Sequence, residues 1–127
     1  MALDLTIRTS QLPAGLMGLW DESTRTLWLD EGLSPPERRC TLVHELVHAE
    51  RGDVPCGDSA LDARQERRVE REAARRLVGF GELIDVLRWA VNAAEAAEVL
   101  GVDLATLEAR LGGLTEREHD ELARRCA

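Results

Sequence analysis

Short apolar runs at the start of the chain predict β-structure. Residues 3–9 alternate between apolar and polar side chains, which is typical of a half-buried strand, and the alternation ends before Pro13. Two further runs, residues 15–20 and Thr26–Asp30, flank a segment whose Asp, Ser and Thr residues favour a turn. We therefore expect a small antiparallel sheet in the N-terminal part of the chain.

A helix with clear start and stop signals follows this sheet. Ser34 can serve as the N-cap, two prolines suit the first turn, and Glu37 can complete a capping box. Gly52 marks the end of the helix, and a second helix is predicted over residues 61–78.

The last third of the chain is also predicted to be helical. Residues 96–111 have the spacing of a helix-turn-helix, but the second helix offers only Arg110 to a nucleic acid, so a packing or protein-docking role is favoured. Five apolar side chains of this region are predicted to be core: Leu83, Val86, Leu87, Trp89 and Val91.

These elements define an α+β fold. We expect the small antiparallel sheet to pack on the helix over residues 35–51 and on the second helix, with a helical C-terminal region to follow. The predicted division is a core over residues 1–80 and a helical region over residues 81–127 that packs on it.

Charge and length limit the function classes. The 127 residues suit one domain, and the net charge is −8, with arginine as the only strongly basic residue type. An acidic chain gains nothing from phosphate attraction, so direct nucleic-acid binding is not expected. No apolar run approaches the roughly 20 residues of a membrane span, and the N-terminus lacks a signal peptide pattern, which predicts a cytoplasmic protein without membrane contact.

A His-Glu-x-x-His pattern lies in the first predicted helix. His44 and His48 are separated by about 40° on a helical projection, so both imidazoles can bind one ion, and Glu45 lies beside them where it can contact water at that ion. This pattern is typical of zinc metalloproteases, although two histidines at this spacing can also form a plain polar stripe.

A third ligand is predicted on the second helix. Glu70 shares a helical face with alanines and Leu77, and a carboxylate on an apolar face needs a partner. Either a zinc ion held by His44 and His48 or an arginine such as Arg67 could be that partner. Two histidines and one carboxylate leave the open position that a catalytic zinc ion requires.

Together, residues 41–53 and 69–77 resemble the ImmA/IrrE family of small zinc metallopeptidases, with the resemblance extending over about residues 15–78. It implies that His44, His48 and Glu70 are the metal ligands and that Glu45 is the catalytic glutamate. Ala74 stands where the family usually has Asn or Asp, and Arg76 where it usually has Phe. The family's helix before the sheet is missing or much reduced.

The resemblance also implies a function. It points to a zinc-dependent endopeptidase of a phage or other mobile element that cleaves a transcriptional repressor. Independently of the resemblance, a substrate strand could add to the exposed edge of the small sheet. The alternative is a non-catalytic module that keeps the fold and acts by binding a regulator.

Two further side chains are candidates for the site. Cys56 could be a fourth ligand that closes a structural zinc site, but it is interpreted as a free loop thiol, like the other two cysteines. His119 lies in a charged segment and is interpreted as a surface residue, which leaves an arginine as the other candidate to polarise the substrate carbonyl.

Overall fold

A computed structural model describes residues 4–126 and confirms the α+β fold class. The strands are β1 (Thr6–Ser10), β2 (Gly18–Asp21) and β3 (Thr26–Asp30). The helices are α1 (Pro35–Arg51), α2 (Ser59–Leu77), α3 (Phe80–Leu87), α4 (Ala93–Leu100), α5 (Leu104–Gly112) and α6 (Glu116–Arg125).

The sheet is mixed, so the expectation of an antiparallel sheet is wrong for one strand pair. β3 lies in the centre, antiparallel to β2 but parallel to β1, with Thr6 opposite Thr26. The connection over residues 11–17 carries the chain from one side of the sheet to the other, and β3 then returns between the first two strands. Both outer strands therefore have an unpaired edge within the described residues.

The signals read at the ends of α1 are confirmed. The Ser34 hydroxyl accepts a hydrogen bond from the backbone N–H of Glu37, and the Glu37 carboxylate accepts one from the backbone N–H of Ser34 at 2.9 Å. Gly52 ends the helix with φ of 67°, a left-handed conformation in which glycine is favoured because it has no Cβ.

One apolar core joins α1 and α2 to the C-terminal helices. Cys40 of α1 and Leu77 of α2 pack in the same buried cluster as Leu83 and Leu107. The boundary at residue 80 stays a prediction.

The predicted core residues of the last third divide into two groups. Leu83 and Val86 are buried and Leu87 is partly buried, but Trp89 is 55 % exposed and Val91 is 84 % exposed, so the prediction is wrong for these two. Helix α3 ends at Leu87, and both side chains belong to the turn that follows it.

The helix-turn-helix spacing corresponds to α4 and α5, which Gly101 separates in a left-handed conformation. Arg110 is buried, and its Nε donates a hydrogen bond of 2.8 Å to the backbone carbonyl of Val78. The one basic side chain that the sequence offers to a nucleic acid is thus part of the packing. Along residues 4–126, each helix is too short or too polar to cross a membrane.

Glu118 joins α6 to two other helices and gives the fold a pH dependence. Its carboxylate accepts hydrogen bonds from Arg75 at 3.0 and 3.1 Å and from Arg110 at 3.1 Å, and these hold its pKa at about 2, below the ordinary 4.5. Because the pKa is lowered in the folded state, this stabilisation is complete above about pH 4.5 and is lost as the pH falls towards 2.

We therefore expect Glu118→Gln to lower the free energy of unfolding by about 2 kcal/mol near neutral pH, because a buried guanidinium loses a charged acceptor. Urea unfolding of both proteins, followed by circular dichroism between neutral pH and about pH 3, measures the difference. The difference should shrink as the pH falls. A difference that stays constant would show that the ion pair does not have this role.

Candidate metal centre

The two histidines of α1 lie side by side as the helical spacing predicts. Their ring centroids are 5.0 Å apart, with the ring planes at 68° to one another. Both side chains are partly buried, and both direct Nε2 towards the same carboxylate of α2. The first helix thus supplies two nitrogen donors to one point.

That carboxylate belongs to Glu66. Its Oε1 lies 2.5 Å from Nε2 of His44, and its Oε2 lies 3.1 Å from Nε2 of His48. Hydrogen bonds to the two imidazoles hold the pKa of Glu66 well below its usual range, so it is ionised. A ligand atom from each of the three side chains lies within 4.8 Å of the others, and two imidazoles with one carboxylate are a zinc-type donor set.

Glu70 is not part of this group, and the buried setting predicted for it is wrong. Its side chain is exposed and, together with His44, lines a cavity between α2 and α5. Glu66 precedes Glu70 by one helical turn on the same face, about 40° away, so the helical projection cannot choose between them. Which of the two glutamates lies next to the histidines depends on where α2 crosses α1. Val69 and Ala73 set this crossing point by packing on α1.

Asp53 is a further candidate residue of this site that the sequence did not single out. Its Oδ2 lies 3.0 Å from Nδ1 of His48 and accepts a hydrogen bond of 2.8 Å from Nε of Arg51. A carboxylate at Nδ1 fixes the ring orientation and keeps Nε2 free for a ligand bond, as is common for metal-binding histidines. The available signal was its position immediately after Gly52, where the chain turns back beside the last turn of α1.

Two carboxylates make the surroundings of His48 favourable for a cation. Burial of the ring disfavours its protonated form, but the hydrogen bonds that the protonated ring donates to Glu66 and Asp53 outweigh this effect and raise the pKa of His48. The same negative environment favours a divalent cation in place of the proton, because a carboxylate at each ring nitrogen stabilises positive charge there.

Glu45 lies next to this group but makes no hydrogen bond to it. The side chain is only 8 % exposed, and burial raises the pKa of its carboxyl group, a shift that the two histidines partly oppose. A carboxylate with a raised pKa beside a metal group is suited to accept a proton from water.

A glycine in β2 makes room for this carboxylate. A Cβ atom at Gly18 would lie 2.5 Å from Cγ2 of Thr41 and 3.1 Å from Cγ of Glu45. Any larger residue would therefore displace the neighbouring α1 side chains, and the absence of a side chain at position 18 brings the sheet edge close to the site.

The resulting cleft has an apolar rim. A cavity of about 390 Å³ is bounded by Gly18, Leu19 and Trp20 of β2 on one side and by Val54 and Pro55 of the α1–α2 loop on the other. Glu45, His48 and Glu66 also line it. An extended peptide lying along the free edge of β2 would therefore pass over the metal-type group.

Other residues singled out from the sequence lie elsewhere. Cys56 is an exposed thiol in the α1–α2 loop, outside the group of three. His119 is exposed on α6, and neither cavity includes it. Ala74 is buried, and Arg76 pairs with Glu50 and Glu72 at the surface.

Comparison with known proteins assigns the family. Among curated proteins and among solved structures, no match to this chain is found. The family model Peptidase_M78, described as the IrrE N-terminal-like domain, matches residues 2–112, which include β2 at the cleft edge and all residues of the group. The chain therefore belongs to the Peptidase_M78 family and carries a metallopeptidase-type domain.

Proposed function

We propose that this protein is a zinc-dependent endopeptidase that cleaves a partner protein. The observation that carries the proposal is the group formed by His44, His48 and Glu66, with the buried Glu45 beside it in the same cleft. A structural zinc site has four protein ligands, whereas three ligands leave a position for water and substrate.

The donor set fits zinc. His44 and His48 would each supply Nε2 and Glu66 one carboxylate oxygen, with Asp53 orienting His48 from behind. When bound, such an ion acidifies water and polarises a carbonyl group. Glu70 is the alternative third ligand, since its side chain lines the cavity on the His44 side.

Glu45 would act as general base and then as general acid. Its buried carboxylate accepts a proton from the attacking water and delivers that proton to the leaving amine, which requires a pKa nearer neutrality than an exposed glutamate has. Its position against Gly18 of β2 brings the proton acceptor next to the strand edge that a substrate backbone would use.

The proposed substrate is a transcriptional repressor of the helix-turn-helix type. The family assignment supports a protein substrate, and the resemblance to the ImmA/IrrE peptidases supports a repressor as that protein. The free edge of β2 supports an extended segment of the substrate as the part that is cleaved.

The test is metal-dependent cleavage. Zinc-loaded protein incubated with a repressor encoded beside its gene, and with a peptide library prepared from a cellular proteome, should generate new peptide termini detectable by mass spectrometry. Chelation should abolish this cleavage and added zinc should restore it, because His44, His48 and Glu66 can position water only through an ion. Folded, zinc-loaded protein that yields no new termini in either substrate would contradict the proposal.

A further inference from the structure

A second cavity adjoins the metal group on the side of His44. It has a volume of about 560 Å³ and lies mainly between α2 and α5, and we call it the α2–α5 cavity. His44 and Thr41 of α1 form its inner end, next to the proposed ligands. Its volume falls within the range of small-ligand sites, so it can hold a long side chain.

Small side chains create this space. Ala73 and Ala74 of α2 face Ala105 and Ala109 of α5 across the cavity, and Leu77 adds an apolar surface. Ala74 is buried and contributes no polar group to the cavity wall. The wall therefore suits an apolar stem.

The carboxylates give the lining an acidic character. Glu70, Asp103 and Glu108 line the cavity, and no basic residue other than His44 does so. Glu70 and Glu108 are exposed and form no ion pair within residues 4–126. An apolar side chain in the cavity would displace water from these carboxylates and offer no hydrogen bond in its place. A cationic side chain would form ion pairs with them.

The edge of the sheet connects the two cavities. Met17 lines the α2–α5 cavity, and the residues that follow it, Gly18–Asp21 of β2, include three that line the metal cleft. His44 lines the α2–α5 cavity and His48 lines the metal cleft. A strand added along β2 would thus cross the metal group, with a neighbouring side chain directed into the α2–α5 cavity.

From this arrangement we infer that the α2–α5 cavity binds an arginine or lysine side chain of the substrate close to the bond that is cleaved. The inference rests on the proposed peptidase function and adds the substrate class. The alkyl stem packs on the alanine wall and the cationic end reaches Glu108 and Glu70, a combination that neither a leucine nor a glutamate side chain provides.

Matched peptides test this inference. We would use fluorescently labelled short peptides that carry a single arginine, with citrulline as the uncharged isostere and glutamate as the opposite charge. For the zinc-loaded protein, kcat/KM should fall at least roughly 10-fold from arginine to citrulline and further to glutamate. In Glu108→Gln the arginine-to-citrulline ratio should shrink, whereas Glu98→Gln, an exposed change on α4, should leave it unchanged.

Binding supplies a readout that does not need turnover. Fluorescence anisotropy with Glu45→Gln should show tighter binding of the arginine peptide than of the citrulline peptide, and Ala109→Leu, which narrows the cavity, should remove that preference. Equal binding of the two peptides would overturn the inference, whatever the activity. Cleavage without arginine preference would overturn it while leaving the peptidase function intact, and arginine-selective binding without cleavage of any peptide would support the cavity assignment but count against the peptidase function.

Discussion

Glu45→Gln is expected to reduce peptide hydrolysis by roughly 10²-fold or more while leaving the fold and the metal content unchanged. The amide has nearly the same shape as the carboxyl group, so the packing against Gly18 and Thr41 should persist. The glutamine amide cannot accept the proton of the attacking water. Among the described residues that line the cleft, Glu45 has the one carboxylate that is buried and makes no hydrogen bond to His44, His48 or Glu66, so no other residue is placed to replace it.

The measurement compares kcat/KM, bound zinc and thermal unfolding of the two proteins, with Glu98→Gln, an exposed glutamate that lines neither cavity, as a matched control. Its counterpart in cells is derepression of a gene controlled by the partner repressor, with the repressor monitored for fragments. Equal derepression by wild type and Glu45→Gln, with the repressor intact, would contradict the peptidase function and support the non-catalytic binding module.

Glu66→Ala is expected to lose most of its bound zinc, because two histidines alone rarely hold the ion tightly. His48→Ala should behave in the same way, since it removes both a ligand and the partner of Asp53. Glu70→Ala should keep the metal, because its exposed side chain lies outside the group of three donors.

Elemental analysis of the purified variants decides between the two glutamates. Glu72→Ala, an exposed change on the same helix, serves as the control for altered charge and helix propensity. Zinc lost from Glu70→Ala and kept by Glu66→Ala would support Glu70 as the third ligand, as the sequence predicts.

Local signals explain which parts of this fold were predictable. The capping box at Ser34, the stop at Gly52 and the limits of β3 depend on neighbouring residues, and the structure places each of them as expected. The parallel pairing of β1 could not be predicted, because its partner is chosen by how the connection over residues 11–17 crosses the sheet. Trp89 was misplaced for a similar reason, since its burial depends on where α3 ends.

The residues of the candidate site likewise differ in whether local sequence or tertiary packing sets their positions. His44, His48 and Glu45 share one helix, so their relative positions follow from helical geometry alone. Glu66 comes from another helix, and its selection over Glu70 depends on how Val69 and Ala73 pack on α1. Asp53 follows the predicted stop at Gly52, but its contact with His48 depends on how the chain turns back after that glycine.

Joining α1 to α2 through an ion has a consequence for folding. Three of the four residues that set up the group, His44, His48 and Asp53, lie in one short segment, and only Glu66 must be brought in, 22 positions after His44. An ion bound by both helices holds the two ends of this loop together, and because unfolding releases the ion, the free energy of ion binding adds to the free energy of unfolding. Metal supply would then set the lifetime of the folded protein in the cell as well as its chemistry, since unfolding would first have to release the ion.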